Sequence, residues 1–192
     1  MGSMVQRVRP SPDKLRQLSE HVAYEVKMLI GAATKLLGTR TTDWTDIRAQ
    51  AESFLIHARQ LYHFFYWPPP TRIDVSPKAK APPIFAVDYV PAWLTMRPAA
   101  SAVLDNLSKD IGRRVAHLTV ERVAGQQYPV LEAARALLVV IHKFRDAKPP
   151  DFAADLGNLS PPWDVRAGLV YGAQGVVSTS SPPTGPIFIR AT

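Results

Sequence analysis

Six polar residues between positions 106 and 121 have the types and spacing that phosphate chemistry requires. They are Asn106, Asp110, Arg113, Arg114, His117 and Glu121. If this stretch is helical, each residue turns by about 100°, and all six fall on one flank beside the apolar line Leu104, Ile111, Leu118. Arginine holds a phosphate by paired hydrogen bonds. A histidine near neutral pH can take or give a proton. A nearby acid or amide, here Asp110 or Asn106, can orient the imidazole. These are the minimum parts for metal-free RNA cleavage, in which a 2′-hydroxyl attacks the adjacent phosphate. The same residues also suit a solvated flank, laced by Asp110–Arg114 and His117–Glu121 pairs at four-residue spacing.

A second histidine-bearing stretch runs from Phe54 to Phe65. By the same helical arithmetic His57 lies about 60° from Phe54, at the margin of an apolar stripe. There it can complete a hydrogen bond within the protein or face His117 across a groove. Arg59 and His63, four apart, lie on the opposite side, where solvent exposure is the simplest expectation. His57 and His63 are about 240° apart on one helix and cannot converge on a metal ion. The chain has no cysteine, so neither a Cys-ligated zinc nor a thiol nucleophile is available. Phosphate-binding glycine loops, HExxH and GxSxG are all missing. No metal and no cofactor is expected.

The elements that would carry these residues are helices. Ser11 can cap a first helix starting at Pro12. Its stripe is Leu15, Leu18, Val22, Val26, Leu29, Ala33 and Leu36, with Gly38 as a stop. Thr42 or Asp43 can cap a second, with Ile47, Ala51, Phe54, Ala58, Leu61 and Phe65 inward, ended by Pro68-Pro69-Pro70. From Trp67 to Pro83 the chain reads as a proline-broken crossover. Phe85, Tyr89 and Trp93 are too apolar for an exposed loop and are expected to pack across the helices. A third helix is predicted from about Ala100 to Val120. A fourth begins near Pro129, with Val130, Ala134, Leu137, Ile141 and Phe144 inward, and Pro149-Pro150 closes it. The expected core is Leu18, Leu29, Phe54, Leu61, Leu107, Ile111, Leu137 and Ile141. Residues 149–192, rich in Pro, Gly and Ser, read as an irregular tail. Within it Ile187-Phe188-Ile189 could add as an edge strand to something else, but the composition favours a mobile tail. The expected fold is therefore all-α: an antiparallel helical bundle of four main helices over residues 4–148, with an aromatic, proline-rich crossover and an irregular C-terminal tail. Residues 1–3 read as a cloning scar before a natural start at Met4.

At 192 residues with 46% hydrophobic content the chain can build one core. Its net charge of +7 suits an anionic partner, whether RNA, DNA, an acidic protein or anionic lipid, and equally suits solubility alone. The basic residues are spread along the chain, so there is no basic arm. No apolar run approaches the ~18 residues of a membrane span, so no membrane role is expected.

The segment His57-Ala58-Arg59-Gln60-Leu61-Tyr62-His63-Phe64-Phe65, with Arg113-Arg114-Val115-Ala116-His117-Leu118-Thr119, resembles uncharacterised bacterial helical proteins. These in turn resemble the HEPN superfamily of antiparallel helical bundles. The HEPN signature is an arginine and a histidine separated by four to six residues. Here three residues separate Arg113 from His117, and two separate Arg114 from it. The resemblance covers residues 12–147 in architecture and two short segments in motif. It implies a cytoplasmic homodimer that binds RNA or a protein. It also implies metal-independent endoribonuclease activity, with His117, Arg113 and Arg114 catalytic and His57, Asn106 and Asp110 binding. The alternatives are a non-enzymatic interaction protein, such as an immunity protein, an antitoxin or a phage-associated component, and an uncharacterised helical protein with a small-molecule pocket between its helices.

Overall fold

A computed structural model describes residues 4–38, 43–74, 83–114, 126–150, 152 and 187–189. The protein is mostly helical. Strand β1 (Met4–Gln6) leads into α1 (Pro12–Gly38) and α2 (Trp44–Tyr66), then strand β2 (Arg72–Asp74). The crossover holds two single-turn helices, α3 (Ala86–Tyr89) and α4 (Trp93–Met96). Helix α5 (Ala102–Arg114), strand β3 (Gln126–Tyr128), helix α6 (Val130–Ala147) and strand β4 (Ile187–Ile189) follow. Helix α1 packs most extensively on α2, and α2 also meets α5 and α6.

The helix starts follow local chemistry. The Ser11 hydroxyl accepts from the Lys14 amide at 3.3 Å, and the Ser11 carbonyl accepts from Leu15. At α2 the cap is Asp43, whose carboxylate accepts from the amides of Thr45 and Asp46. The α2 ladder ends at Trp67, whose amide bonds the His63 carbonyl ahead of the three prolines. Helix α6 follows Pro129 and stops at Lys148, before Pro149-Pro150.

Most of the expected core is buried: Leu29, Phe54, Leu61, Leu107, Leu137 and Ile141. Leu18 is only half-buried. On α1 the inward stripe is wider than a three-four count gives, and it takes in Ser19, Ala23, Ala32 and Leu37. Leu18 and Leu36 lie at its edge, both half-buried. Ile111 lies in α5 among the residues whose side chains are outside the description.

The crossover supplies the largest core side chains, as its composition predicts. Phe144 of α6 meets Phe64, Phe65, Tyr89 and Trp93 with ring centroids 5.3, 5.5, 5.9 and 5.4 Å away, mostly edge to face. The Trp93 indole N–H donates to the Phe65 carbonyl at 2.8 Å, so its one polar atom is satisfied on burial. Arg97 donates to the carbonyls of Phe65 and Tyr66, closing the C-terminal end of α2. Tyr62 donates to Asp105 at 2.6 Å and ties α2 to α5. Burial, helped by that acceptor, pushes its hydroxyl up to about 12.

Two antiparallel strand pairs are visible among the described residues. Met4, Val5 and Gln6 pair with Asp74, Ile73 and Arg72. Gln126, Gln127 and Tyr128 pair with Ile189, Phe188 and Ile187. The tail thus returns to its own chain at 187–189, and Phe152 is buried against Tyr89. The β1–β2 pair has no counterpart in the sequence reading.

Phe144→Ala should remove the ring on which four others rest. Urea denaturation should show a loss of about 3–5 kcal/mol, the range for a fully buried Phe. Val139→Ala, at an exposed site on the same helix, should shift stability by less than ~0.5 kcal/mol.

Candidate functional site

Helices α1 and α2 leave a cleft of about 320 Å³ between them, closed on one side by Pro83, Ile84 and Phe85. Helix α1 contributes His21, Val22 and Glu25, which follow one face at three- and four-residue steps. Helix α2 contributes Gln60, Leu61, His63 and Phe64 in the same way, and Trp67 follows its last turn. Leu61, Phe64, Val22 and Phe85 are buried and form an apolar floor. His21, Glu25, Gln60 and His63 supply polar groups around it. The volume and the mix of apolar walls with a few polar groups suit a small planar ligand.

The mouth carries a pre-formed aromatic stack. The His63 and Trp67 rings lie 3.8 Å apart, tilted by 26°. Trp67 is 50% exposed, so half of its surface is open to solvent. Burial lowers the His63 pKa below its ordinary 6.5, and the nearby Arg59 lowers it further. The ring is therefore neutral at pH 7. His63 is half-buried under Trp67, not exposed as its helical position suggests.

Across the cleft the Glu25 carboxylate is held by His57. The His57 Nδ1 lies 2.7 Å from Glu25 Oε2 and donates to it. The edge of Tyr24 also meets the His57 ring. His57 is 12% exposed and Glu25 28%, so the histidine works from within and leaves its partner at the cleft.

The wall formed by residues 83–85 is fixed from the N-terminus. Arg7 makes a two-point bond to Asp88, Nη1 to Oδ1 at 2.9 Å and Nη2 to Oδ2 at 2.6 Å. Its guanidinium also reaches the Pro83 carbonyl and lies 5.2 Å over the Phe85 ring. Asp88 Oδ2 accepts from the Phe85 amide at 2.9 Å as well. Arg9 Nε donates to the Asp88 carbonyl at 2.6 Å. Both ion-pair side chains are almost wholly buried, at 8% and 2% exposure.

None of the other residues singled out in the sequence is among the described residues that line this cleft. Asn106 is exposed on α5. Asp110, Arg113 and Arg114 belong to the last turn and a half of α5 by backbone, with side chains outside the description. His117 lies outside the described residues. Among the described residues no group of three or more His, Asp or Glu could hold a metal ion. None of their helices is long and apolar enough to cross a membrane. The residues missed by the sequence reading are His21, Glu25, Gln60 and Trp67. Two signals could have found them: the four-residue steps His21–Glu25 and His63–Trp67 each set a pair on one helix face. No protein-family model, curated protein or solved structure matches the chain.

Two outcomes follow. Arg7→Ala strands a buried carboxylate, and urea denaturation should show a loss of about 3–5 kcal/mol; a loss below 1 kcal/mol would contradict the pairing described. Because the folded His63 pKa is depressed, its contribution to stability is full above pH 6.5 and is lost as pH falls through the folded value. An NMR titration of His63 should give a midpoint below 6.5, rising in Arg59→Ala.

Proposed function

We propose that the chain is a helical-bundle protein, with α1, α2, α5 and α6 as its four members, that binds single-stranded RNA. The observation that carries this reading is the His63–Trp67 stack at the mouth of the cleft. An unpaired base can extend the stack and slide over the apolar floor, because every base has a π-face. The net charge of +7 supplies attraction for the phosphates outside the cleft. Neutral His63 suits a stacking role better than an ionic one.

Fluorescence anisotropy with a labelled single-stranded RNA octamer tests it. Trp67→Ala should weaken binding roughly 10- to 100-fold, the usual loss for one stacked base. Affinity should also fall as salt rises, in proportion to the phosphates neutralised. Equal affinity in wild type and Trp67→Ala would remove the cleft from RNA binding. Absence of binding at low salt would favour a protein partner instead.

A further inference from the structure

We infer that Arg59 holds a backbone phosphate adjoining the base stacked on Trp67, a step that rests on the RNA-binding reading and specifies the course of the strand. Arg59, His63 and Trp67 follow one another at four-residue steps along α2 and the residue that ends it. Side chains at that spacing share one helix face and stand about 5–6 Å apart at Cβ. Trp67 folds back over the step before it, since its ring lies 3.8 Å from that of His63. The indole therefore rests on the side chain next to Arg59 and not two free turns away from it. One turn before His63, the Arg59 guanidinium is close enough that its charge helps to lower the pKa of that ring. Guanidinium, imidazole and indole thus form one continuous row.

The cation is also available. Among the described residues no acid pairs with Arg59, whereas Arg48 on the same helix reaches Glu52 at 3.5 Å. Arg59 is half-buried, so its stem lies against the protein while its charged head reaches water. The described lining of the cleft holds no lysine or arginine, so a phosphate contact has to come from the rim. Arg59 is on that rim: it does not line the cleft, but His63 and Trp67 on the same face do. A base at the mouth keeps its sugar and phosphates outside, and the row from Trp67 to Arg59 gives the backbone a surface to run along. An arginine presents five donors in a planar fork, which matches two oxygens of one phosphate. Aromatic platform and adjoining cation are the two parts that single-strand binding combines.

The test measures how affinity depends on salt, with a labelled single-stranded RNA octamer titrated into the full chain at a series of salt concentrations. Arg59→Gln should bind more weakly at low salt, and its slope of log affinity against log salt should be shallower by roughly 0.7, the share of one single-strand phosphate. Arg59→Lys should keep the wild-type slope, because counterion release follows the charge and not the fork. Lys109→Gln, at an exposed site on α5, removes the same net charge elsewhere and should leave the slope unchanged. Circular dichroism checks that each variant keeps its helices. An unchanged slope in Arg59→Gln would overturn the assignment and leave RNA binding standing. An equal drop in Lys109→Gln would overturn it too, since affinity would then follow net charge and not a fixed contact. So would a slope in Arg59→Lys as shallow as in Arg59→Gln, because the loss would then not be one of charge. If the octamer does not bind the wild type at low salt, the RNA-binding reading itself fails and the assignment falls with it.

Discussion

The bond between Arg7 and Asp88 is the constraint on which the cleft depends. Two charges are taken almost wholly out of water, which is costly unless the geometry is good and the remaining polar sites are filled. Here the contact has two points and the carboxylate also takes the Phe85 amide, while the buried Arg7 Nε has no hydrogen-bond partner among the described residues. Arg9 fixes the Asp88 carbonyl from the same strand exit. The pair joins residues 81 apart in sequence, so it clamps the N-terminal segment to the crossover. Pro83 and Phe85, both touched by the same guanidinium, are the third wall of the cleft. Helices α1 and α2 alone would make a groove; this clamp holds the wall that closes one side of it.

The end of α2 shows how one helical turn can serve several surfaces. Each residue turns by about 100°, so Tyr62 and Tyr66 stack with each other on one side. There Tyr62 reaches Asp105 of α5, and Arg97 lies over Tyr66. Phe64 and Phe65 point into the aromatic core around Phe144. His63 faces the cleft, where Trp67 covers it. The rigidity of the core is thereby transmitted to the stack: His63 cannot shift without its neighbours Phe64 and Phe65, and the Phe65 carbonyl is tied to Trp93 and Arg97. A ligand at the mouth meets a surface that is already ordered.

Helix positions were legible in the sequence because their signals are local. Ser11, Asp43 and the prolines at 68–70 and 149–150 act within one turn of themselves, and the structure places helix ends there. Aromatic burial of Phe85, Tyr89 and Trp93 was legible from composition alone. The Arg7–Asp88 clamp was not, because a charged residue in a proline-rich lead-in and an acid in the crossover carry no mark of each other. The cleft was hidden for a related reason. His21 and Glu25 belong to a polar stripe on α1 that looks like ordinary solvated surface until α2 and residues 83–85 are set against it. Among the described residues, His57 was read correctly as a margin histidine that completes a hydrogen bond, but its partner Glu25 lies 32 residues away.

The most direct test of the cleft as the RNA site is an NMR titration that watches side chains while a single-stranded RNA octamer is added at low salt. The His63 ring and Trp67 indole signals should shift together and saturate with the same midpoint, with Glu25 and Gln60 moving alongside them and Asn106 on α5 unmoved. Shifts confined to α5, with His63 and Trp67 unchanged at saturation, would contradict the cleft and move RNA binding to the flank that carries Arg113 and Arg114.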